Sequence, residues 1–240
     1  MHRLIRQAAQ HLALCSVLLA AGTAQAATRS YLVTDFDSVR LEAPVAVSVL
    51  TKRSTTAHGE GDTDLLERID LNVEGRILTI RLKKSPFEGR RSDNAGAARL
   101  TLTVPSLRSA HIFGAGTLIL DGLSGQNGEI SVSGTGSLTA SSVDADILSV
   151  AQQGAGSLQL AGKAKKAIIQ LSGSGDADAS GLSAADLEVN AQGAGTVKAL
   201  ASRSAKVTAV GPATVTIDGH PACDVHHAGG GQVVCAGKDY

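Results

Sequence analysis

The chain has very few aromatic residues: two tyrosines, three phenylalanines and no tryptophan among 240 residues. This excludes a surface of stacked rings, which many proteins use to hold sugars or single-stranded nucleic acid. An excess of one charge is also missing, because 22 Lys and Arg residues balance 22 Asp and Glu residues. Without a positive field the chain lacks the main source of affinity for nucleic acid, which is therefore not an expected partner. Hydrophobic residues still make up 43% of the chain, enough to bury a core of Ala, Val, Ile and Leu.

Residues 1–26 have the composition of a secretory signal peptide. The segment opens with two arginines, residues 12–21 are apolar, and small residues fit cleavage after Ala26. The apolar run is shorter than the roughly 20 residues that a membrane-spanning helix needs. A lipoprotein anchored at Cys15 is the alternative, although Leu14 is bulkier than the residue that usually precedes such a cysteine. We expect an exported protein that does not span the membrane and that works in the periplasm or at the outer cell surface.

Two cysteines remain after the predicted cleavage, Cys223 and Cys235. In an oxidising compartment such a pair is expected to form a disulfide, and a loop of this length contributes about 3 kcal/mol in the chain-entropy model. The alternative is a zinc or copper site, because His220, His226 and His227 lie near these cysteines. Neither the C-x-x-C nor the H-x-x-x-H spacing is present, so the disulfide is the favoured interpretation.

A short Gly-x-Gly element recurs through the second half of the chain. Its first glycines are 18 to 20 residues apart, which is too regular for chance. Apolar residues stand two and four positions after the second glycine, and again two and four positions before the first. This period of two predicts strands with one buried face on either side of a corner that only small residues fit. The copies are Gly114–Gly116, Gly134–Gly136, Gly154–Gly156, Gly173–Gly175, Gly193–Gly195 and a degenerate Gly211–Ala213.

A repeat of about 20 residues is too short for a strand, a full helix and their two loops. The sequence therefore predicts an all-β fold, a single-stranded parallel β-helix or β-solenoid, whose coils stack about 4.8 Å apart. Equivalent apolar residues would then form a narrow core, and the glycines would form a ladder along one edge. Gln152 occupies one of the apolar positions, so its side chain must either find a partner inside or turn outwards.

The N-terminal part carries strand patterns without the strict repeat. Residues 69–73 and 77–82 alternate on either side of Glu74-Gly75-Arg76, which is typical of a hairpin, and residues 62–68 fit a single helical turn. Because no linker rich in Pro or Ser follows, we expect one domain over residues 27–240. It would comprise irregular N-terminal coils at 30–105, Gly-x-Gly coils at 106–219 and a disulfide-linked C-terminal cap at 220–240.

These residues resemble a known family. Phe36-Asp37-Ser38-Val39, the strand at 45–49, Asp64-Leu65-Leu66 with the hairpin after it, and the Gly-x-Gly strands are similar to the head GIN domain of putative auto-transporter adhesins. The resemblance runs from about residue 30 to about residue 220. It implies a right-handed parallel β-helix in exported bacterial proteins of the cell envelope. It implies no chemistry, since the family brings no catalytic residues to carry over.

Parallel β-helices also host polysaccharide lyases and hydrolases, whose carboxylates and bases lie on one face of neighbouring coils. The acids of this chain scatter around the predicted coil, and only Asp176 and Asp178 lie close together on one strand face. Their aligned neighbours are a serine, a glutamine, a threonine and a lysine, so solvated strand residues are the favoured interpretation. No dinucleotide-binding or nucleophilic serine motif is complete, and we expect no cofactor.

Four basic residues, Lys83, Lys84, Arg90 and Arg91, surround a predicted loop. They could contact lipopolysaccharide or another anionic envelope polymer, and a solvated loop without a ligand is the alternative. We expect a non-enzymatic envelope protein whose solenoid presents a long face for interaction or adhesion with an envelope or surface partner. The alternatives are a polysaccharide-active enzyme on the same scaffold and a polyanion- or metal-binding protein. The sequence does not specify the oligomeric state.

Overall fold

The computed structural model describes residues 27–84 and 97–240, so the predicted signal peptide lies outside it. The fold is a β-solenoid of about 6 turns with coils of about 20 residues, which confirms the predicted fold class. The N-terminal elements are β1 (Ala27–Tyr31), β2 (Ser38–Leu41), β3 (Ala46–Leu50), β4 (Thr56–Gly61), α1 (Thr63–Arg68), β5 (Ile69–Glu74), β6 (Ile77–Leu82), β7 (Ala98–Thr103), β8 (Ser109–Gly114) and β9 (Thr117–Leu120). The remaining strands are β10 (Leu123–Gly134), β11 (Ser137–Gly154), β12 (Ser157–Gly173), β13 (Asp176–Gly193), β14 (Thr196–Val210), β15 (Thr214–Gly219), β16 (Ala222–Ala228), β17 (Gln232–Cys235) and β18 (Lys238–Asp239).

Each coil of the repeat has three faces. The first face carries the segments that end at a corner glycine, such as β8 and the second half of β10. The second face carries the segments that follow the corner, such as β9 and the first part of β11. The third face carries the segments that lead back to the first, where Leu123 pairs with Val143 and Val143 with Gly162. Parallel ladders join successive coils, and their register shifts only between the second face and the start of the first. Equivalent residues of the first and second faces therefore stack in columns.

The glycine corners stack directly on one another. Gly114 pairs with Gly134, Gly134 with Gly154 and Gly154 with Gly173. Gly154 has a φ of +107°, and a Cβ built on it would lie 2.6 Å from the carbonyl oxygen of Gly134. Both the positive φ and the close approach of the neighbouring backbone require glycine. This explains why the glycines recur at a nearly fixed spacing.

The core is a narrow stack of aliphatic columns. The positions two and four residues away from the corner glycines are buried throughout the Gly-x-Gly coils, as predicted. Within the Gly-x-Gly coils, one column consists of Leu118, Leu138, Leu158, Ala177, Val197 and Val215.

Gln152 interrupts this apolar core. Its side chain turns inwards, is buried, and donates a hydrogen bond from Nε2 to the carbonyl oxygen of Gly156. Its Oε1 is buried without a hydrogen-bond donor among the described residues. The amide fills the space beside Gly175, where a Cβ would overlap with Nε2. Gly175 therefore makes room for a buried amide as well as for the corner.

The N-terminal coils do not stack in chain order. β2 pairs with β6 on one side and with β8 on the other, and β3 pairs likewise with β7 and β9. The coil of β2 and β3 thus lies between the coil of β6 and β7 and the coil of β8 and β9. After the first coil (β2 and β3), the chain forms the terminal coil of β6 and β7. It then crosses to the opposite side of the first coil and continues with β8 and β9.

Antiparallel strands cover the N-terminal end of the solenoid. β5 pairs with β6 through the predicted hairpin, while β4 joins β7 and β1 lies beyond β4. The predicted helical turn is α1, whose capping residue Asp62 accepts a hydrogen bond from the N–H of Leu65. No helix within the described ranges is long and apolar enough to cross a membrane.

The coils continue beyond Gly219. β16 pairs in parallel with β14, β17 pairs in parallel with β15, and Gly229 stacks on Gly211 as a further corner. Cys223 and Cys235 join β16 to β17 in a disulfide, as predicted. β18 then turns back antiparallel to β17 and ends the second face.

Candidate functional site

The predicted polyanion cluster lies partly outside the described residues. Arg90 and Arg91 fall within 85–96, and Lys84 ends the described segment before that range. Lys83 follows β6 and pairs with Asp70 of β5, with Nζ 3.2 Å from Oδ1. The cluster therefore stays a prediction, in which Lys83 already has an acidic partner.

The C-terminal cysteines and histidines were the alternative metal ligands. The Sγ atoms of Cys223 and Cys235 are bonded to each other, so neither is a free thiolate. His220 and His226 are exposed, whereas His227 is stacked on Ala209 in an inward-facing column. Within residues 27–84 and 97–240, no group of three His, Cys, Asp or Glu side chains is arranged to hold a metal ion.

Asp176 and Asp178 lie on the second face, where the sequence places them. Gln159 and Lys198 stack on either side of Asp178, as predicted. The Oγ and N–H of Ser180 both donate hydrogen bonds to Asp178, and these bonds hold the pKa of its carboxyl below the usual value. Asp178 is thus a stabilised carboxylate rather than a proton donor.

Other acids on the solenoid pair with cations of the next coil. Hydrogen bonds from Arg203 and Ser204 lower the pKa of Asp186 to about 2. Asp144 lies 3.3 Å from the Nζ of Lys163 on the third face. These pairs are exposed, so each contributes little to stability.

A groove of about 530 Å³ runs across the first face near its N-terminal end. It follows one column of the ladder across five stacked strands, a length of about 19 Å at the usual strand spacing. That column contains Ile77, Ser38, Ser109, Glu129 and Ser149. The polar residues that line the groove are Ser38, Arg108, Ser109, His111, Asn127, Glu129 and Ser149.

A largely buried carboxylate fixes one wall of the groove. Asp37 lies 2.8 Å from Nε of Arg76 and 3.0 Å from Nε of Arg108. Burial alone would raise the pKa of Asp37, but the hydrogen bond from Arg76 and the ion pair with Arg108 outweigh this and lower it. Arg108 is therefore held beside the groove, and because Asp37 is shared by two arginines the three side chains keep one net positive charge.

His111 lines the groove on β8, next to Arg40 in the ladder with β2. Burial lowers the pKa of His111; the nearby Glu129 opposes this shift, and Arg40 adds to it. The imidazole is consequently neutral at neutral pH. A neutral imidazole both donates and accepts a hydrogen bond, which suits a ligand with hydroxyl groups.

Arg40 and Phe113 lie beside the groove. The guanidinium of Arg40 lies 5.4 Å from the ring centroid of Phe113, which is 41% exposed. Nε of Arg40 is buried without an acceptor among the described residues. Beyond this pair, Arg81 donates two hydrogen bonds of 2.6 and 3.2 Å to Glu42. The first face thus offers an aromatic ring, a cation and neutral polar groups side by side.

The sequence did not reveal this groove. Ser38 and Ser109 are 71 residues apart, and their hydroxyl groups meet only because β2 stacks on β8 out of chain order. The available signal was the outward position of Arg40 and His111 in their strands. That these two residues lie side by side follows from the order in which the coils stack.

The groove lies within a segment that matches a known protein family. The family model for the head GIN domain of putative auto-transporter adhesins matches residues 35–221. The chain belongs to this family. The matched segment runs from β2 to β15, so it includes the whole groove, while β16, β17 and the disulfide lie beyond it.

Solved structures share the fold of this head GIN domain protein. A putative adhesin from Bacteroides fragilis NCTC 9343 has a TM-score of 0.79 at 23% identity, with 88% of this chain and 97% of that chain covered. A putative lipid binding protein from Parabacteroides distasonis ATCC 8503 has a TM-score of 0.67 at 18% identity, with coverage of 88% and 97%. A putative adhesin from Parabacteroides merdae ATCC 43184 has a TM-score of 0.64 at 18% identity, with coverage of 88% and 96%. At these identities the likeness concerns the fold, and no curated protein matches the chain.

Proposed function

We propose that the protein is a non-enzymatic interaction or adhesion module of the cell envelope, and that the first-face groove holds a polar, extended ligand. The observation that carries this proposal is the groove itself, which crosses five stacked strands and is lined mainly by hydroxyl, amide, imidazole and carboxylate groups. An envelope polysaccharide is the ligand class that fits this lining, because its hydroxyl groups repeat along the chain.

The groove supports an elongated ligand for a geometric reason. Its polar residues come from successive strands about 4.8 Å apart, so contacts recur along the solenoid axis. Ser109 and Glu129 are register neighbours in this column, and His111 lies two residues along from Ser109. Arg40 and Phe113 flank the groove and add a charge and one stacking surface. A polymer lying along the axis would contact several of these groups at once.

The ionisation of the carboxyl groups argues for binding without turnover. A glycosidase needs a general acid whose pKa is raised, so that it is protonated at working pH. In the described ranges, the carboxyls with a shifted pKa are Asp37, Glu42, Asp178 and Asp186, and each is shifted downwards. Each accepts hydrogen bonds from arginine or serine, which favour the ionised form.

Family membership and the disulfide support an extracellular or surface location. The export signal that the sequence predicts would direct the protein to the periplasm or the outer surface, which agrees with this proposal. One structural neighbour is described as lipid binding, and a lipid-linked glycan would present both a polar chain and an apolar anchor. The groove accounts for recognition of the polar chain.

Retention of the protein on envelope polysaccharide tests the proposal. The variants Arg40→Gln, Asn127→Ala and Glu129→Gln change groups at or in the groove, and we expect each to weaken binding about tenfold, as for the loss of one good polar contact. Thr139→Ala and Gln159→Ala on the second face are matched controls and should bind as the wild type does. Equal binding by groove variants and wild type would refute the assignment of the groove.

A further inference from the structure

The C-terminal end of the first face is an open strand edge. β16 forms a parallel ladder with β14 and with no other strand among those described. The inward residues of β14 at this position, Ala205 and Val207, are fully buried. Their counterparts on β16, Cys223 and Val225, remain partly exposed. The core therefore ends uncovered at β16.

The free edge of β16 has a defined hydrogen-bonding phase. The N–H of Gly211 donates to the carbonyl oxygen of Ala228 over 2.8 Å, so the carbonyl of Ala228 points towards the preceding coil. Along a strand, alternate residues direct their N–H and C=O groups to opposite sides. The backbone groups of Cys223, Val225 and His227 consequently point to the free edge.

The sequence of β16 is self-complementary about Val225. In an antiparallel pair of two copies centred on Val225, Asp224 of one copy faces His226 of the other, and Ala222 faces Ala228. Val225 of one copy faces Val225 of the other as a hydrogen-bonded pair. This agrees with the direction of the N–H and C=O groups of Val225, which point to the free edge. Asp224 and His226 then form the non-hydrogen-bonded pairs, in which side chains lie closest.

Other two-fold centres fit less well. A centre on Asp224 would oppose two carboxylates, and a centre on His226 would oppose two imidazoles. Both would also leave part of the strand unpaired. Within one chain, Lys206 of β14 stacks beside Asp224 and Thr208 stacks beside His226. The chain's own Asp224 also lies beside the imidazole, with Oδ1 3.5 Å from Nε2 of His226. Both side chains are about two-thirds exposed, so each can turn towards a strand that pairs with the free edge.

We propose that a second copy of this chain pairs with β16, so that two solenoids join end to end through an antiparallel β16–β16 ladder with Asp224 opposite His226. The two-fold axis sets the second face of one copy against the third face of the other. β18 extends the second face by one strand, whereas the third face has no strand after β15. The extra strand of each copy thus lies over the shorter face of its partner.

Two charge variants test this pairing without depending on a loss of folding. Asp224→His opposes imidazole to imidazole in a dimer, and His226→Asp opposes carboxylate to carboxylate. Near pH 6, where histidine is substantially protonated, we expect each variant alone to dimerise at least about tenfold more weakly than the wild type. An equimolar mixture of the two variants should form a one-to-one heterodimer, because every facing pair is then complementary.

Sedimentation equilibrium of the protein expressed from the full chain, from micromolar to near-millimolar concentration, measures these associations. Val225→Pro adds a third variant, since it removes an edge N–H that bonds to none of the described residues, and it should be monomeric. The proposal is overturned if the wild type is monomeric throughout the range. It is equally overturned if the two charge variants fail to associate when mixed, or if Val225→Pro remains a dimer.

Discussion

Replacing Gly154 with alanine should destabilise the solenoid more than replacing Gly114. The two glycines have similar φ values, +107° and +102°. A Cβ on Gly154 would lie 2.6 Å from the carbonyl oxygen of Gly134, whereas a Cβ on Gly114 would meet nothing within 4 Å. The pair therefore separates the cost of a positive φ from the cost of the close contact between coils.

The expected losses of stability follow from the cost of the positive φ and the cost of the close contact. A non-glycine residue held at an unfavourable φ costs about 1–3 kcal/mol, and both variants incur this cost. Overpacking against a backbone that cannot move adds about 1–3 kcal/mol to Gly154→Ala alone. For a chain of this size, an extra 2 kcal/mol corresponds to a melting temperature lower by roughly 4–8 °C.

Urea unfolding and thermal melting followed by circular dichroism measure the two variants side by side. Gly154→Ala should have the lower midpoint by both methods. Equal losses of stability in Gly114→Ala and Gly154→Ala would show that stacking of the corners does not require glycine for reasons of space.

Three further predictions concern the disulfide, the buried amide and the groove histidine. Replacing Cys223 and Cys235 with serine should lower the free energy of unfolding by about 2–4 kcal/mol, and urea unfolding with and without reductant checks this; a wild type insensitive to reductant would contradict it. Gln152→Leu should leave stability unchanged or raise it by about 1 kcal/mol in the same assay, because it removes an unpaired buried oxygen. The carbonyl of Gly156 keeps its bond from the N–H of Asp176, and a clear loss of stability would refute this account. Because the folded pKa of His111 is lowered, the unfolded chain binds its proton more readily, so stability should fall as the pH drops below about 6.5. Unfolding free energies at several pH values should show this fall reduced in His111→Gln, and an identical pH profile would contradict it.

Much of the fold is predictable because it repeats. The corner at Gly134 and the apolar residues on either side of it, Ile130, Val132 and Leu138, recur as small or apolar residues in the following copies, except for Gln152 in the column of Val132. A period of two and a residue type that alone tolerates the corner are local properties, so they can be read without knowing the tertiary structure. The parallel stacking and the buried columns follow from them.

The groove could not be predicted, because it depends on the order in which the coils stack. Arg40 and His111 become neighbours when the chain returns to the inner side of its first coil, and no local pattern encodes that return. The further C-terminal coil carries a local signal in the sequence, because Val225 and Val233 stand at the repeat's offsets from Gly229–Gly231. The two cysteines led to the prediction of a C-terminal cap at 220–240. In the structure, Cys223 and Cys235 also extend the columns of inward-facing residues.

The fate of a polymer held in the groove is the most direct measurement of the proposed function. Envelope polysaccharide would be incubated with the wild type and with Glu129→Gln, and both the bound fraction and the size of the recovered polymer would be measured. A non-catalytic groove predicts that the wild type retains the polymer, that Glu129→Gln retains about tenfold less, and that the recovered polymer has its original length. Shortened polymer released by the wild type, or equal retention by Glu129→Gln, would contradict the account.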